Sequence, residues 1–185
     1  MPPQEQTGTE RYYPNQRLTF YIAAIRESAR GSEIVVSRAH EGLVLGLFKR
    51  EVPEIANGAV EISAIAREAG GRTKVAVSSK QSGVDPVGAC VGQKGVRVQA
   101  VISELGGSEK VDIIQFSTDA ADFISRALAP AKDIEVTLDE TNQQATAMVP
   151  SSYLSLAIGL GGQNVRVAAK LTKWKIDIKG KDVPE

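Results

Sequence analysis

Apolar positions along this chain follow two periods that alternate in a fixed order. In AHEGLVLGLFKREV, Leu43 and Leu47, with Val44 and Phe48, recur at one helical turn, and Pro53 follows to stop the run. AVEISAIAREAGGRTKVAVSSK alternates apolar and polar residues on both sides of a Gly-Gly pair, which predicts a hairpin. The helical period returns in VDPVGACVGQKGVRVQAVISEL, with Asp85 as N-cap and Pro86 as first helical residue. That segment is broken by Gly92 and Gly95, so it predicts two helices meeting at a Gly-x-x-Gly corner. KVDIIQFS closes the unit as a strand.

The same order then starts again. TDAADFISRALA reads as a helix, DIEVTLDE and QQATAMVP as a hairpin around TN, and SSYLSLAIGLGGQNVRVAAKLT as helix, glycine turn, helix. WKIDIKG is the last strand. Sliding the chain against itself by 67 residues lays VGQKGVRV on IGLGGQNV, Gly92 on Gly159 and Gly95 on Gly162. The expected class is therefore α+β, with two tandem αββααβ units over residues 38–118 and 119–185. Before them, RLTFYIAAI and EIVVSR predict two strands within residues 12–37, joined by ESARGS. A lone pair of strands is marginal in water and must lean on something else. Residues 1–11, polar and carrying Pro2 and Pro3, are expected to be disordered.

The glycine corners carry the candidate chemistry. Without a Cβ at either end, another backbone can approach closely. The second helix begins at the corner, aiming unpaired N–H groups and the positive end of its dipole there, which suits a phosphate. Val91 and Ile158 before the corners, with Val98 and Val165 after them, would floor an apolar groove. Bases lying in such a groove and backbone held at its rim describe single-stranded nucleic acid, the arrangement in which a GxxG loop clamps about four nucleotides. Glycines used for packing alone are the competing explanation. A dinucleotide fingerprint is not one, because GLGGQN places Asn164 where the third glycine belongs, and no GxxxxGK[ST] is present.

Net charge is zero, so any basic surface is local. Residues 154–176 carry Arg166, Lys170, Lys173 and Lys175 with no acidic residue, and 91–103 carry Lys94 and Arg97 unopposed. Beside the corners these cations would hold phosphates, Lys94 foremost. Hydrophobic content of 42% and charged content of 24% are those of a globular protein. One cysteine, Cys90, excludes an internal disulfide, and with one histidine, His40, it gives no zinc-ligand pattern and no expected cofactor. Cys90 reads as a small buried hydrophobe, and His40, near the start of a helix beginning about Ser37, has no partner for general-base work. Trp174 and Tyr153 are candidates to stack on bases, with core packing the stronger reading for Trp174 because it opens an apolar strand, and Asp139 with Glu140 read as hairpin-tip residues. No catalytic set emerges, no apolar run could span a bilayer and no secretion signal is evident, so a non-enzymatic cytoplasmic protein is expected.

RYYPNQRLTFYI, IVVSRAHEGLVLGLFKREVPEI, VEISAIAREAGGRTKVAV, DPVGACVGQKGVRVQAV and LSLAIGLGGQNVRVAAKLTKWKID together resemble the RNA-binding region of the NusA family of bacterial transcription elongation, termination and antitermination factors. The resemblance covers about residues 11–180 and implies two bacterial-type KH domains after an OB-fold barrel, here represented only by its last strands in 12–37. It implies binding of single-stranded nascent RNA and modulation of pausing, termination and antitermination. RNA contacts carry over to Gly92, Gln93, Lys94, Gly95 and Arg97, and to Gly159, Leu160, Gly161, Gly162, Asn164 and Arg166. With Val91, Ile158 and Lys170 from the groove and charge arguments, these make the expected site. Leu160 stands where the family generally has a basic residue. The family's N-terminal polymerase-binding domain has no counterpart, which separates RNA binding from binding to the RNA polymerase elongation complex. A protein-interaction scaffold with vestigial loops is the alternative function.

Overall fold

The computed structural model describes residues 1–29 and 31–181. Residue 30, in the expected ESARGS turn, and residues 182–185, at the end of the expected second unit, lie outside the described residues. Strands β1 (Tyr21–Ser28) and β2 (Gly31–Ser37) pair antiparallel as a separate two-stranded sheet. The first unit comprises α1 (Glu41–Glu51), α2 (Pro53–Ala56), β3 (Val60–Glu68), β4 (Arg72–Ser79), α3 (Pro86–Val91), α4 (Val96–Glu104) and β5 (Lys110–Gln115). The second comprises α5 (Ala120–Ala127), β6 (Glu135–Asp139), β7 (Gln144–Pro150), α6 (Leu154–Ile158), α7 (Gln163–Thr172) and β8 (Lys175–Lys181).

Each unit is an α+β layer with the same sheet. Two antiparallel strands are joined by a third that runs parallel to the central one, in the orders β3-β4-β5 and β6-β7-β8. A parallel pair needs a crossover, and the helix–corner–helix segments supply it. Asp85 caps α3 by accepting from the Val87 N–H at 3.0 Å. His40 caps α1 by accepting from Gly42 N–H at 2.9 Å. The helix thus starts at Glu41 and not near Ser37, whose hydroxyl accepts from the Ala39 and His40 N–H groups. His40 also stacks on Tyr21, with ring centroids 4.4 Å apart. A methyl group on Gly42 would lie 2.5 Å from that tyrosine ring, so the hairpin docks on α1 through this glycine.

The two units share a core. Leu43, Val44, Leu47 and Phe48 pack with Val75, Val77, Cys90 and Val101 on one face of the first sheet. Burial pushes the Cys90 thiol up to about 11, so it is inert packing. Ala66, Ala76 and Ile114 on the other face join Phe123, Ile124, Val167, Ala168 and Leu171 of the second unit, with Ala64 packed alongside. These small side chains let α7 lie against β3 and β4. Lys74 is wholly buried on that face, its ammonium donating to Asp112 at 2.9 Å and to the carbonyl of Ala129 in the second unit at 3.0 Å. Burial pulls its pKa down to about 8 against the attraction of Asp112.

Residues 1–11 correct the expectation of disorder. Pro3–Glu5 forms a 3-10 turn, and the Glu5 carbonyl accepts from the Arg38 and Ala39 N–H groups. Thr7 is buried, and Tyr12 donates from its hydroxyl to Glu10 while accepting from the Thr7 N–H. Glu10 pairs with Arg38, which is itself buried and also donates to the carbonyls of Thr19 and Glu104. A buried guanidinium needs a carboxylate, and this segment brings one.

Asp112→Ala would leave Lys74 buried without its anion. A loss of about 3 kcal/mol or more is expected, read as a lowered urea midpoint at unchanged slope.

Candidate nucleic-acid interface

The two glycine corners have one backbone conformation. Gly92 has φ 75° and ψ 172°, and Gly159 has φ 76° and ψ 169°. The third position is left-handed in both, Lys94 at φ 52°, ψ 25° and Gly161 at φ 57°, ψ 26°. Gly95 and Gly162 are left-handed too, and each N–H closes the corner on the first glycine's carbonyl at 3.1 Å. The repeat therefore matches Gln93 to Leu160 and Lys94 to Gly161.

The first glycine of each corner is demanded twice. Its combination of φ and ψ is one that only glycine adopts without strain. A Cβ at Gly92 would also lie 2.7 Å from Cγ of Arg97, and one at Gly159 would lie 2.8 Å from Cβ of Asn164. Those two partners occupy equivalent places and do equivalent work. Arg97 donates from Nη1 to the Ala89 carbonyl at 2.7 Å and to Glu54 at 2.9 Å. Asn164, wholly buried, donates to the carbonyls of Leu156, Ala157 and Leu128 at 3.0 to 3.1 Å. Ala89 and Leu156 are themselves related by the repeat. Both side chains tie the second helix of a corner to the unsatisfied last carbonyls of the first.

Expected RNA contacts thus divide into groups. Asn164 is a structural clasp with no exposed surface, which corrects its reading as a ligand contact, and Arg97 shares the clasp role. Val91, like Val98 and Val165 after the corners, is half-buried, while Ile158 is exposed. Trp174 and Tyr153 pack against the second core. Gln93 and Lys94 are exposed, and Lys94 has no ion-pair partner among the described residues. Leu160 is 96% exposed, the most open large apolar side chain among the described residues. A groove of about 380 Å³ runs beside the first corner between Gly88, Ala89, Gly92, Gln93 and Val96.

Arg166 and Lys170 meet an anion the charge pattern did not reveal. Glu68, at the end of β3 in the first unit, receives Arg166 through Nε at 2.7 Å and Nη2 at 2.9 Å, and Lys170 at 3.0 Å. Arg166 also donates from Nη1 to the Gly161 carbonyl inside the second corner at 2.9 Å. Gly71, in the β3–β4 turn, leaves space filled by Gln163 at the start of α7. Buried Glu109 fixes that turn by accepting from Arg67, the Gly70 N–H and Thr73. The partners of Arg166 and Lys170 are about a hundred residues distant, beyond any local pattern.

A model of the NusA-like first KH domain matches residues 38–116, and one of the NusA-like second KH domain matches 120–184. The chain belongs to the NusA family. Transcription termination/antitermination protein NusA of Bacillus subtilis (strain 168) is 50% identical over 97% of this chain and 48% of its own length. The NusA proteins of Thermus thermophilus and Mycobacterium tuberculosis (strain H37Rv) are 51% and 50% identical over the whole chain, covering 48% and 53% of theirs. This NusA-type chain spans about half the length of the curated relatives it matches.

Asn164→Ala exposes no new surface but strands buried carbonyls. It should cost about 2 to 3 kcal/mol, measured by denaturant unfolding. The Arg166 and Lys170 pairings hold Glu68 at about 2, well below its ordinary value. With the folded pKa below the unfolded one, its contribution is full above about pH 4.5 and lost as pH falls toward 2. The melting-temperature gap between the wild type and Glu68→Gln should therefore narrow as pH is lowered from 6 to about 3.

Proposed function

We propose that this chain binds single-stranded RNA at its two KH corners and serves transcription elongation, pausing, termination and antitermination. The observation that carries this reading is the pair of corners with one backbone geometry, at equivalent places in NusA-type KH domains. Exposed Lys94 supplies the phosphate contact at the first corner, and Gln93 faces the same lip. At the second, exposed Leu160 and Ile158 offer apolar contact to bases or ribose. We take residues 38–118 and 119–185 as the two domains and residues 12–37 as the last strands of an OB barrel. The ligand is nascent RNA, with the polymerase elongation complex as the wider partner and the cytoplasm as the setting.

Catalysis is not part of this reading. Among the described residues no group of His, Cys, Asp and Glu could hold a metal ion, and no helix is long and apolar enough to cross a membrane. A scaffold with vestigial loops has less support, because drifting loops would not keep matching left-handed positions in both repeats.

The test uses the middle residues of each corner, since a side chain at Gly92 or Gly159 distorts the corner itself. Gln93→Asp with Lys94→Asp, and Leu160→Asp with Gly161→Asp, add negative charge where the side chains are exposed. Short unstructured RNA followed by fluorescence anisotropy should bind at least tenfold more weakly to each double variant, with circular dichroism unchanged. Wild-type affinity should fall with salt by a log–log slope of about −0.7 per neutralised phosphate. Equal affinity of wild type and both variants would refute the corners as the site.

A further inference from the structure

The second corner carries basic residues but almost no unspent positive charge. Gly161 takes the place that Lys94 holds in the first, and Leu160 the place of Gln93. Asn164 is buried. The two cations that remain beside the corner, Arg166 and Lys170, both reach Glu68, which belongs to the other unit. Their side chains stay half exposed, at 50% and 52%, so they are accessible to a ligand while already holding a carboxylate. A guanidinium binding both oxygens of one carboxylate presents the fork geometry it would use on a phosphate.

We propose that Glu68 is a specificity-determining residue of the RNA site: a carboxylate lent by the first KH domain that occupies the phosphate-binding cations of the second. RNA reaching the second corner must share or displace it. Indiscriminate attraction of polyanions is thereby reduced there, and binding depends more on the apolar contacts of Leu160 and Ile158. Placing an anion against the wrong ligand is a general route to discrimination. The arrangement depends on inter-unit packing, because Gly71 against Gln163 and the Glu109-fixed turn bring Glu68 to α7. It rests on the RNA-binding reading above.

The experiment is a mutant cycle read by RNA affinity and its salt dependence. Glu68→Gln keeps the shape and removes the charge. It should raise affinity for short unstructured RNA by about fivefold at low salt, and steepen the salt slope by about 0.7 for each phosphate gained. Heparin, a polyanion without bases, should gain proportionally more. In an Arg166→Gln/Lys170→Gln background the same change should have no effect, since there is nothing left to unmask. If Glu68→Gln leaves affinity and slope unchanged or weakens binding, the mask is refuted. So is it if the gain persists without the two cations. RNA binding that is lost in Gln93→Asp/Lys94→Asp but indifferent to Glu68→Gln defeats this inference alone. Absence of RNA binding by the wild type defeats the proposed function with it.

Discussion

The first sheet has two buried faces, and the second unit exists in its present place because of that. Ala64, Ala66, Ala76 and Ile114 form an apolar patch that its own helices, on the opposite face, do not cover. Packing α5 and α7 over this patch removes it from water and completes the second core at the same time. Alanine matters here because a larger side chain would hold α7 away from the strands. Lys74 sits in the same interface, buried with Asp112 and the Ala129 carbonyl. Such an ion pair adds little net stability, yet a misplaced partner would strand its charge, so it favours one relative arrangement of the units.

That fixed arrangement gives the corners their different characters. Their backbones match, but the side chains laid on them do not. The first corner keeps an exposed lysine. The second presents an exposed leucine and surrenders its arginine and lysine to a glutamate from its neighbour. The two repeats thus share one corner geometry while differing in the charge and apolar surface laid on it.

Much of the architecture could be read from the chain. Period and glycine spacing revealed both αββααβ units, the Asp85-Pro86 helix start and the matched corners, because these depend on residues close in sequence. Three things could not be read. The packing of residues 1–11 rests on Thr7 and on the pairing of Glu10 with Arg38, and buried polar contacts leave no hydrophobic period. Asn164 looks like any polar residue near a loop, and only its three carbonyl partners identify it as a clasp. The stretch from 154 to 176 looks unopposed because its counter-charge, Glu68, lies in the other repeat. Local pattern finds elements and misreads charge that is balanced across an interface.

On the proposed function, two corners held in one arrangement act on one RNA strand. The most direct measurement is affinity as a function of RNA length, using unstructured oligonucleotides from about 4 to about 16 nucleotides at constant salt. A GxxG loop of the KH type clamps about four nucleotides. Affinity should show a plateau for the shortest RNAs and then a marked rise once the strand can reach both corners, as the second contact becomes intramolecular. Affinity that stays flat over the whole range would contradict it, and would mean that only one corner binds.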